Sequence, residues 1–534
     1  MHPLVVIFAV GNCLLLGLFA YYPVLSAREI FQASSLASAI LEARDYLVDY
    51  RKLPWAKGVQ PVTESYAGLI TVRCEFSSFP DGWTTTNVNA SIDLQAQLFF
   101  WYFPALNYVG TESPPLIIWL QGGGYSVNFS HKIYFDVCDT IGPGSSSNIG
   151  LFYEMGPLRV HPDLTLSLNN ETWASQASMI FIDNPVGTGY SNVDKSSTST
   201  SYPTKTQYSH ESYKDGYVAD QTAVGRDLLT FLHEFYRLFP KNQRAKLFIT
   251  GESYAGKYVP AFADAVINYN AGLGPAPTTN FIPLHGIAIG NGLTDPVSQI
   301  LSHAPLALAM GLVSPRQAEI LHAHALNAID FAEKQKWRNA TFARDAIFAA
   351  FKEFSGGINP YDIRKGSIQN SWSSMETLLN LPSVKRALNV PSQIGFDKDE
   401  KVTQNLYTDG MKSMKNVVSK LLSVRQYNFN GSNEIPLSVL LYQGQFDFRD
   451  GILSSNKWIS SLEWTGSDGY NKANRSVWKI GDAVVGYITS YAQLKRVEVL
   501  LAGHLSPQDA PAVTKQMIYD FIFNPVSQPQ ARKI

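Results

Sequence analysis

Cysteine is scarce in this chain, with three residues in 534. Cys13 lies in an apolar N-terminal stretch, which leaves Cys74 and Cys138 for the rest of the sequence. In an oxidising compartment these two could form a single disulfide, and they could equally be two buried thiols. Apolar side chains make up 45% of the residues, which is typical of a globular protein with a large core.

Charge is sparse as well. Charged residues make up 16% of the chain, the formal net charge is −1, and no basic cluster is present. Nothing therefore predicts nucleic acid or an anionic membrane surface as a partner. His322 and His324 are two residues apart and would point away from each other on a helix, so metal-ligand spacing is also missing. We expect neither a metal nor a cofactor.

A long apolar run occurs once, over residues 4–22, and small residues including Ser26 and Ala27 follow it. This predicts a secretory signal at residues 1–27, with an uncleaved membrane anchor as the alternative. After cleavage we expect no stable membrane association, and residues 28–60 would be an N-terminal segment or a pro-segment. The predicted address is the secretory pathway, either secreted or in a vacuole or lysosome. Glycosylation sequons fit that address, and the candidates are Asn89, Asn170, Asn339, Asn430 and Asn474.

The remaining pattern alternates strands with helices. Near-continuous apolar runs at residues 116–120 and 179–183 predict strands covered on both faces, and residues 218–239 predict an amphipathic helix. We therefore predict an α/β fold whose central sheet is mostly parallel and covered by helices on both faces. Residues 296–433 are largely helical, for example at 314–337 and 340–354, and would form an insertion, or cap, over the active-site edge. Core sequence flanks it at 61–295 and 434–534, with strands at 437–442 and 496–501.

Ser253 stands where an apolar strand, residues 246–250, reverses into a helix, residues 254–267. Such a sharp turn exposes one side chain and places a backbone N–H and the positive helix end beside it, which suits a nucleophile. Two alternatives exist. Gly251, Gly256 and Lys257 match most of a phosphate-binding loop, but Tyr258 stands where that motif needs Ser or Thr. The segment could also be an ordinary turn with an inert serine.

Two further residues complete a catalytic pattern. Asp447 and His504 each follow a core-type strand, and the ends of parallel strands are where such sheets place their sites. The chain order Ser253, Asp447, His504 is the order of the triad in α/β hydrolases. A serine hydroxyl needs a base held by an acid to become nucleophilic. Glycines in residues 119–124 could supply oxyanion donors or could simply allow a turn.

These motifs resemble the serine carboxypeptidases of the α/β-hydrolase superfamily. The matching segments are residues 65–68, 119–123, 150–157, 182–191, 251–256, 290–296 and 502–504. The resemblance implies that Ser253 attacks, His504 carries the proton and Asp447 orients it, with the N–H groups of Gly123 and Tyr254 as the oxyanion hole. It also implies a set of residues that bind the substrate's C-terminal carboxylate, which are Gln121, Gly122, Glu154 and Glu252.

Carboxyl groups can bind a carboxylate only if a proton is shared among them. Glu252 beside the nucleophile therefore motivates the hypothesis that peptidase activity is favoured at acid pH. The chain departs from the family in four places. Gln121 stands for Asn and would have to fold back, residues 124–127 lack the family's Pro-Gly-Cys-Ser, and Gln445 stands at a place that is often Asp. Asn128 is a sequon beside the oxyanion loop, where a glycan would crowd the cleft, so we do not expect its use.

The leading prediction is a peptidase that releases C-terminal amino acids from peptides and proteins through an acyl-enzyme. An acyltransferase or esterase with the same machinery is the first alternative. A non-catalytic protective or scaffolding relative is the second, and the retention of Ser253, Asp447 and His504 argues against it.

Overall fold

The computed structural model describes residues 38–39, 41–73, 95–123, 142–194, 213–273, 280–366, 372–398, 400–427 and 434–524. They contain one 11-stranded sheet. Its strands are β1 (Tyr66–Arg73), β2 (Gln95–Phe103), β3 (Leu116–Leu120), β4 (Ser178–Ile182), β5 (Asn192–Asp194), β6 (Leu247–Glu252), β7 (Leu284–Gly290), β8 (Ser438–Gly444), β9 (Ser476–Ile480), β10 (Ala483–Tyr491) and β11 (Leu494–Val499). The predicted signal, Cys74, Cys138, and the sequons at Asn89, Asn128 and Asn430 lie outside the described residues.

The strand order across the sheet is β1-β2-β4-β3-β6-β7-β8-β11-β10-β9, with β5 paired to β2. The six central strands are parallel to one another, and they are β4, β3, β6, β7, β8 and β11. On either side, β2 and β10 pair with this group in the antiparallel direction. This confirms the predicted mostly parallel sheet. Every residue of β3, β4, β6 and β8 is buried, which explains why their sequences are continuous apolar runs rather than alternating ones.

Helices cover both faces of this sheet. The two faces separate along β3: Ile118 packs in the core layer that contains Phe231 and Val259, whereas Trp119 packs in the layer that contains Phe521. The helices are α1 (Asn148–Tyr153), α2 (Gln221–Leu238), α3 (Ala255–Gly272), α4 (Pro296–Gln299), α5 (His303–Ala309), α6 (Pro315–Glu333), α7 (Trp337–Phe354), α8 (Ser373–Asn380), α9 (Pro382–Ala387), α10 (Glu400–Leu406), α11 (Lys415–Ser423), α12 (Ile452–Ser460), α13 (Ser467–Asn471), α14 (Ser506–Asp509) and α15 (Pro511–Phe523).

Several predicted boundaries need correction. Helix α2 begins at Gln221 rather than 218, because the Asp220 side chain accepts a hydrogen bond from the Ala223 N–H and caps it. Helix α6 ends before residue 337, and Gln335, at φ 54°, turns the chain into α7. Strand β11 lies two residues earlier than predicted, and Leu501 follows it at φ 54°. The β9–β10 hairpin was not predicted, because β9 is an exposed edge strand without an apolar run.

Helices α4 to α11 lie within residues 296–433, and several of them pack around their own core, which includes Leu321, Ile347 and Phe351. A buried ion pair joins this region to the helix that follows Ser253. The Lys257 side chain is fully buried, and its Nζ contacts Oδ2 of Asp409 at 3.5 Å and the Asp409 carbonyl at 2.5 Å. Oδ2 of Asp409 also accepts from the Tyr254 hydroxyl at 3.0 Å.

We predict that Asp409→Ala lowers the free energy of unfolding by about 3–5 kcal/mol, because it leaves the Lys257 ammonium buried without its counter-charge. Chemical denaturation measures the change. Asp330→Ala is the matched control, since Asp330 pairs with Lys334 on an exposed helix face. Its loss should stay within about 0.5 kcal/mol. Equal losses of unfolding free energy in the two variants would show that the buried Lys257–Asp409 pair stabilises the fold no more than an exposed ion pair does.

Candidate active site

The turn at Ser253 has the strained backbone expected of a strand that reverses sharply into a helix. Ser253 joins β6 to α3 at φ 61°, a conformation that non-glycine residues rarely adopt. Its N–H donates to the Gly290 carbonyl at 3.0 Å, and its carbonyl accepts from the N–H groups of Gly256 and Leu293. A β-carbon at Gly251 would lie 2.7 Å from that of Ala255. The tight turn therefore requires glycine before the serine but tolerates alanine after it.

Asp447 and His504 meet beyond the ends of β8 and β11. Oδ2 of Asp447 lies 2.8 Å from Nδ1 of His504, and both residues are buried. Oδ1 of Asp447 accepts from the Arg449 N–H at 2.7 Å, which fixes the carboxylate. The His504 N–H donates to the Tyr361 carbonyl at 2.7 Å, and the Tyr361 ring packs edge-on against the imidazole at 4.9 Å. The other ring nitrogen, Nε2, is buried and has no hydrogen-bond partner among the described residues. It is the nitrogen free to act as a base.

Glycines bring the end of β3 against the serine turn. A β-carbon at Gly122 would collide with the backbone nitrogen of Tyr254 and the carbonyl oxygen of Glu252, and one at Gly123 would collide with the carbonyl of Gly142. The Gly122 carbonyl accepts from the N–H groups of residues 144 and 145. Gly122 is therefore pressed against the first turn of α3, where the positive end of the helix favours negative charge.

Gln121, Glu154 and Glu252 form one buried cluster. Nε2 of Gln121 donates to Oε1 of Glu252 at 2.7 Å and to Oε1 of Glu154 at 3.3 Å. The Trp119 indole N–H donates to Oε1, the side-chain amide oxygen of Gln121, at 2.8 Å. The amide therefore folds back and turns its NH₂ group towards both acids. The longer side chain at position 121 thus still reaches the carboxyl groups.

Both acids in this cluster hold protons more tightly than usual. Burial raises the pKa of Glu154 to about 7. Burial, followed by the charge of Glu154 and a hydrogen bond between the two groups, raises the pKa of Glu252 well above its usual range. Because both carboxyl groups are fully buried and both accept from Gln121, a state in which the two are charged together is strongly disfavoured.

Known proteins resemble this chain in sequence and in fold. A sequence profile described as serine carboxypeptidase matches residues 141–524. The chain belongs to the serine carboxypeptidase family. It is 30% identical to the probable serine carboxypeptidase CPVL of Mus musculus, over 86% of this chain and 83% of that protein. It is 33% identical to serine carboxypeptidase-like 50 of Arabidopsis thaliana, over 76% and 80%.

The fold agrees with the crystal structure of Kex1(delta)p, a prohormone-processing carboxypeptidase from Saccharomyces cerevisiae. The TM-score is 0.70 at 24% identity, and the match covers 90% of this chain and 96% of that one. The protein is therefore a serine-type carboxypeptidase hydrolase with the α/β-hydrolase fold. No group of His, Cys, Asp and Glu that could hold a metal, and no helix long and apolar enough to span a membrane, occurs in the described ranges.

Asn291 is a residue of this carboxypeptidase's site that sequence reasoning missed. Its Nδ2 donates to Oδ2 of Asp447 at 2.8 Å, and its Oδ1 accepts from the Ser506 hydroxyl at 2.9 Å. Asn291 has φ 43° at the end of β7. Asparagine between two glycines at a strand end was the available signal, because asparagine tolerates the left-handed conformation.

We predict that Asn291→Ala lowers kcat of the carboxypeptidase about 10-fold, with little change in KM, because Asp447 loses a donor that fixes its orientation. Steady-state kinetics on a blocked dipeptide measures both constants. Ser506→Ala is the control, since Ser506 contacts Asn291 and not Asp447, and it should lose less. A KM effect without a kcat effect would contradict this role for Asn291.

Proposed function

We propose that Ser253, His504 and Asp447 form the catalytic triad of a peptidase that releases C-terminal amino acids through an acyl-enzyme. The observation that carries the proposal is the 2.8 Å contact between His504 and Asp447, which leaves Nε2 of the imidazole without a hydrogen-bond partner among the described residues. The positive φ of Ser253, at the turn from strand β6 to helix α3, supports its role as the nucleophile.

The reaction then follows from the residues in place. Nε2 of His504 takes the Ser253 hydroxyl proton as Oγ attacks the last peptide carbonyl, and the N–H groups of Gly123 and Tyr254 stabilise the oxyanion. His504 then gives the proton to the departing amine, which leaves as the free C-terminal amino acid. Water attacks the acyl-enzyme with His504 again as the base, and the shortened peptide leaves.

The buried acid cluster selects substrates with a free C-terminal carboxylate. Gln121 and the N–H of Gly122 supply donors, and the proton shared by Glu154 and Glu252 supplies another. At acid pH the cluster is at most singly charged and can donate to an incoming carboxylate. As the pH rises through about 7, Glu154 loses its proton and the like charges repel the substrate.

We also propose that the protein enters the secretory pathway with the signal at residues 1–27. Of the sequon asparagines in the described ranges, Asn170, Asn339 and Asn474 are all exposed, as glycan attachment requires. One relative, 29% identical, is a venom serine carboxypeptidase of Apis mellifera. The proposal includes glycosylation at these asparagines and a secreted, vacuolar or lysosomal address. In such an oxidising pathway Cys74 and Cys138 could form a disulfide.

Ser253→Ala should lower kcat/KM for a blocked dipeptide at acid pH by about 10⁴-fold or more, because no other group can form the acyl-enzyme. Release of the free amino acid and turnover of the matching ester are both measured. Ser455→Ala, which removes a fully buried hydroxyl outside the site, is the control and should retain both activities. Ester turnover without dipeptide cleavage in the unmodified protein would favour the esterase or acyltransferase. No turnover in a folded protein would favour the non-catalytic relative.

Glu252→Gln should flatten the pH dependence of peptide KM between about pH 5 and pH 8. In the unmodified enzyme KM rises with pH as Glu154 ionises and leaves one proton for two carboxyl groups, whereas in the variant the amide at position 252 remains a donor at every pH. The control is the corresponding dipeptide amide, whose KM should vary little in either protein because it has no terminal carboxylate. An unchanged KM profile in the variant would refute the shared-proton explanation.

A further inference from the structure

Two arginines are buried next to the proposed site without acceptors for their charged groups. Arg344 lies on α7 and is 3% exposed, and Arg449 follows the catalytic Asp447 and is 2% exposed. Nε of Arg344, and both Nε and Nη1 of Arg449, are buried and have no hydrogen-bond acceptor in the part of the chain that the structure describes. A buried guanidinium with unmet donors is strongly unfavourable unless an anion or another acceptor compensates it.

The two guanidinium groups pack against the same aromatic ring. Each lies against the ring of Phe348, with Cζ of Arg449 at 4.1 Å and Cζ of Arg344 at 5.0 Å from the ring centroid. After burial, the charge of Arg449 is the next largest cause that lowers the pKa of Arg344. The two positive charges disfavour each other, and the carboxyl groups whose charges act on Arg344 are those of Asp450 and Asp345.

The nearby acids are bound to other groups. Oδ2 of Asp345 accepts from the Tyr407 hydroxyl at 3.0 Å, and burial raises the pKa of Asp345 to about 6. Oδ1 of Asp450 accepts from Nε2 of Gln299 at 3.1 Å, and burial raises its pKa as well. Burial lowers the pKa of His303 to about 4, so this neighbouring ring adds no charge at neutral pH. The unmet N–H groups of the arginines thus still lack an acceptor.

We propose that Arg344 and Arg449 together bind a small monovalent anion of the halide class, with chloride as the physiological example. Both side chains are almost completely enclosed, which excludes a peptide carboxylate and admits only a compact ion. The backbone N–H of Arg449 donates to Oδ1 of Asp447 at 2.7 Å. An anion that fixes the Arg449 side chain therefore also fixes the segment that carries Asp447.

Chloride should stabilise the folded protein by mass action. With chloride replaced by gluconate at constant ionic strength, Tm should rise with chloride concentration, by about 3 °C at a hundredfold excess over Kd. Arg344→Met should remove this chloride-dependent increment. Arg496→Met is the matched control, because Arg496 is a buried arginine whose donors are used by Gln443, Asn456 and the Ile452 carbonyl. It should lower Tm and keep the increment.

Bromide locates the ion directly and does not depend on how Arg344→Met folds. Crystals of the unmodified protein grown or soaked in bromide should give an anomalous peak in contact with both guanidinium groups. A peak at that position supports the proposal. No peak there, or peaks at surface residues only, overturns it and leaves solvent-mediated contact with Asp345 and Asp450 as the compensation. Neither measurement uses peptidase activity, so the outcome is independent of the proposed function.

Discussion

The site depends on the close approach of three backbone segments at Ser253. The turn can be this tight only because Gly251 leaves room for Ala255, and Gly256 leaves room for the backbone of Leu293. On the opposite side Gly122 packs against the Tyr254 nitrogen. In each contact a β-carbon would force the segments apart. The strained φ of Ser253 persists because the surrounding backbone hydrogen bonds determine it from both sides.

Buried charge is the second constraint, and the structure meets it in different ways. Burial raises the pKa of both Glu154 and Glu252, which disfavours their charged forms, and Lys257 is paired with Asp409. Arg344 and Arg449 have neither arrangement, and three of their donor nitrogens have no acceptor among the described residues. Each solution leaves a different dependence on the solvent: on pH for the acids, on none for the ion pair, and on an external anion for the arginines.

The sequence predicted the central sheet because fully buried parallel strands leave continuous apolar runs, and it predicted the candidate triad because its members follow such strands. The sequence did not predict features that depend on a contact between residues far apart in the chain, or on a single side-chain hydrogen bond. The fold of Gln121 onto the Trp119 indole, and the contact of Asn291 with Asp447, join side chains whose roles appear only in three dimensions. Helix α2 begins later than predicted because the Asp220 side chain caps it. Strand β9 was not predicted because it is exposed and has no apolar run.

Helices within residues 296–433, the predicted insertion, contact the candidate site directly. Asp409 binds the hydroxyl of Tyr254, whose N–H is a proposed oxyanion donor, and Phe348 of α7 packs its ring against the guanidinium of Arg449, two residues after Asp447. His303 of the insertion also contacts the Arg449 carbonyl at 2.9 Å. The turn at Ser253 and the loop after Asp447 thus each contact strands of the central sheet on one side and helices of residues 296–433 on the other. Because these contacts are buried, a shift of the helices in residues 296–433 would disturb the candidate catalytic groups.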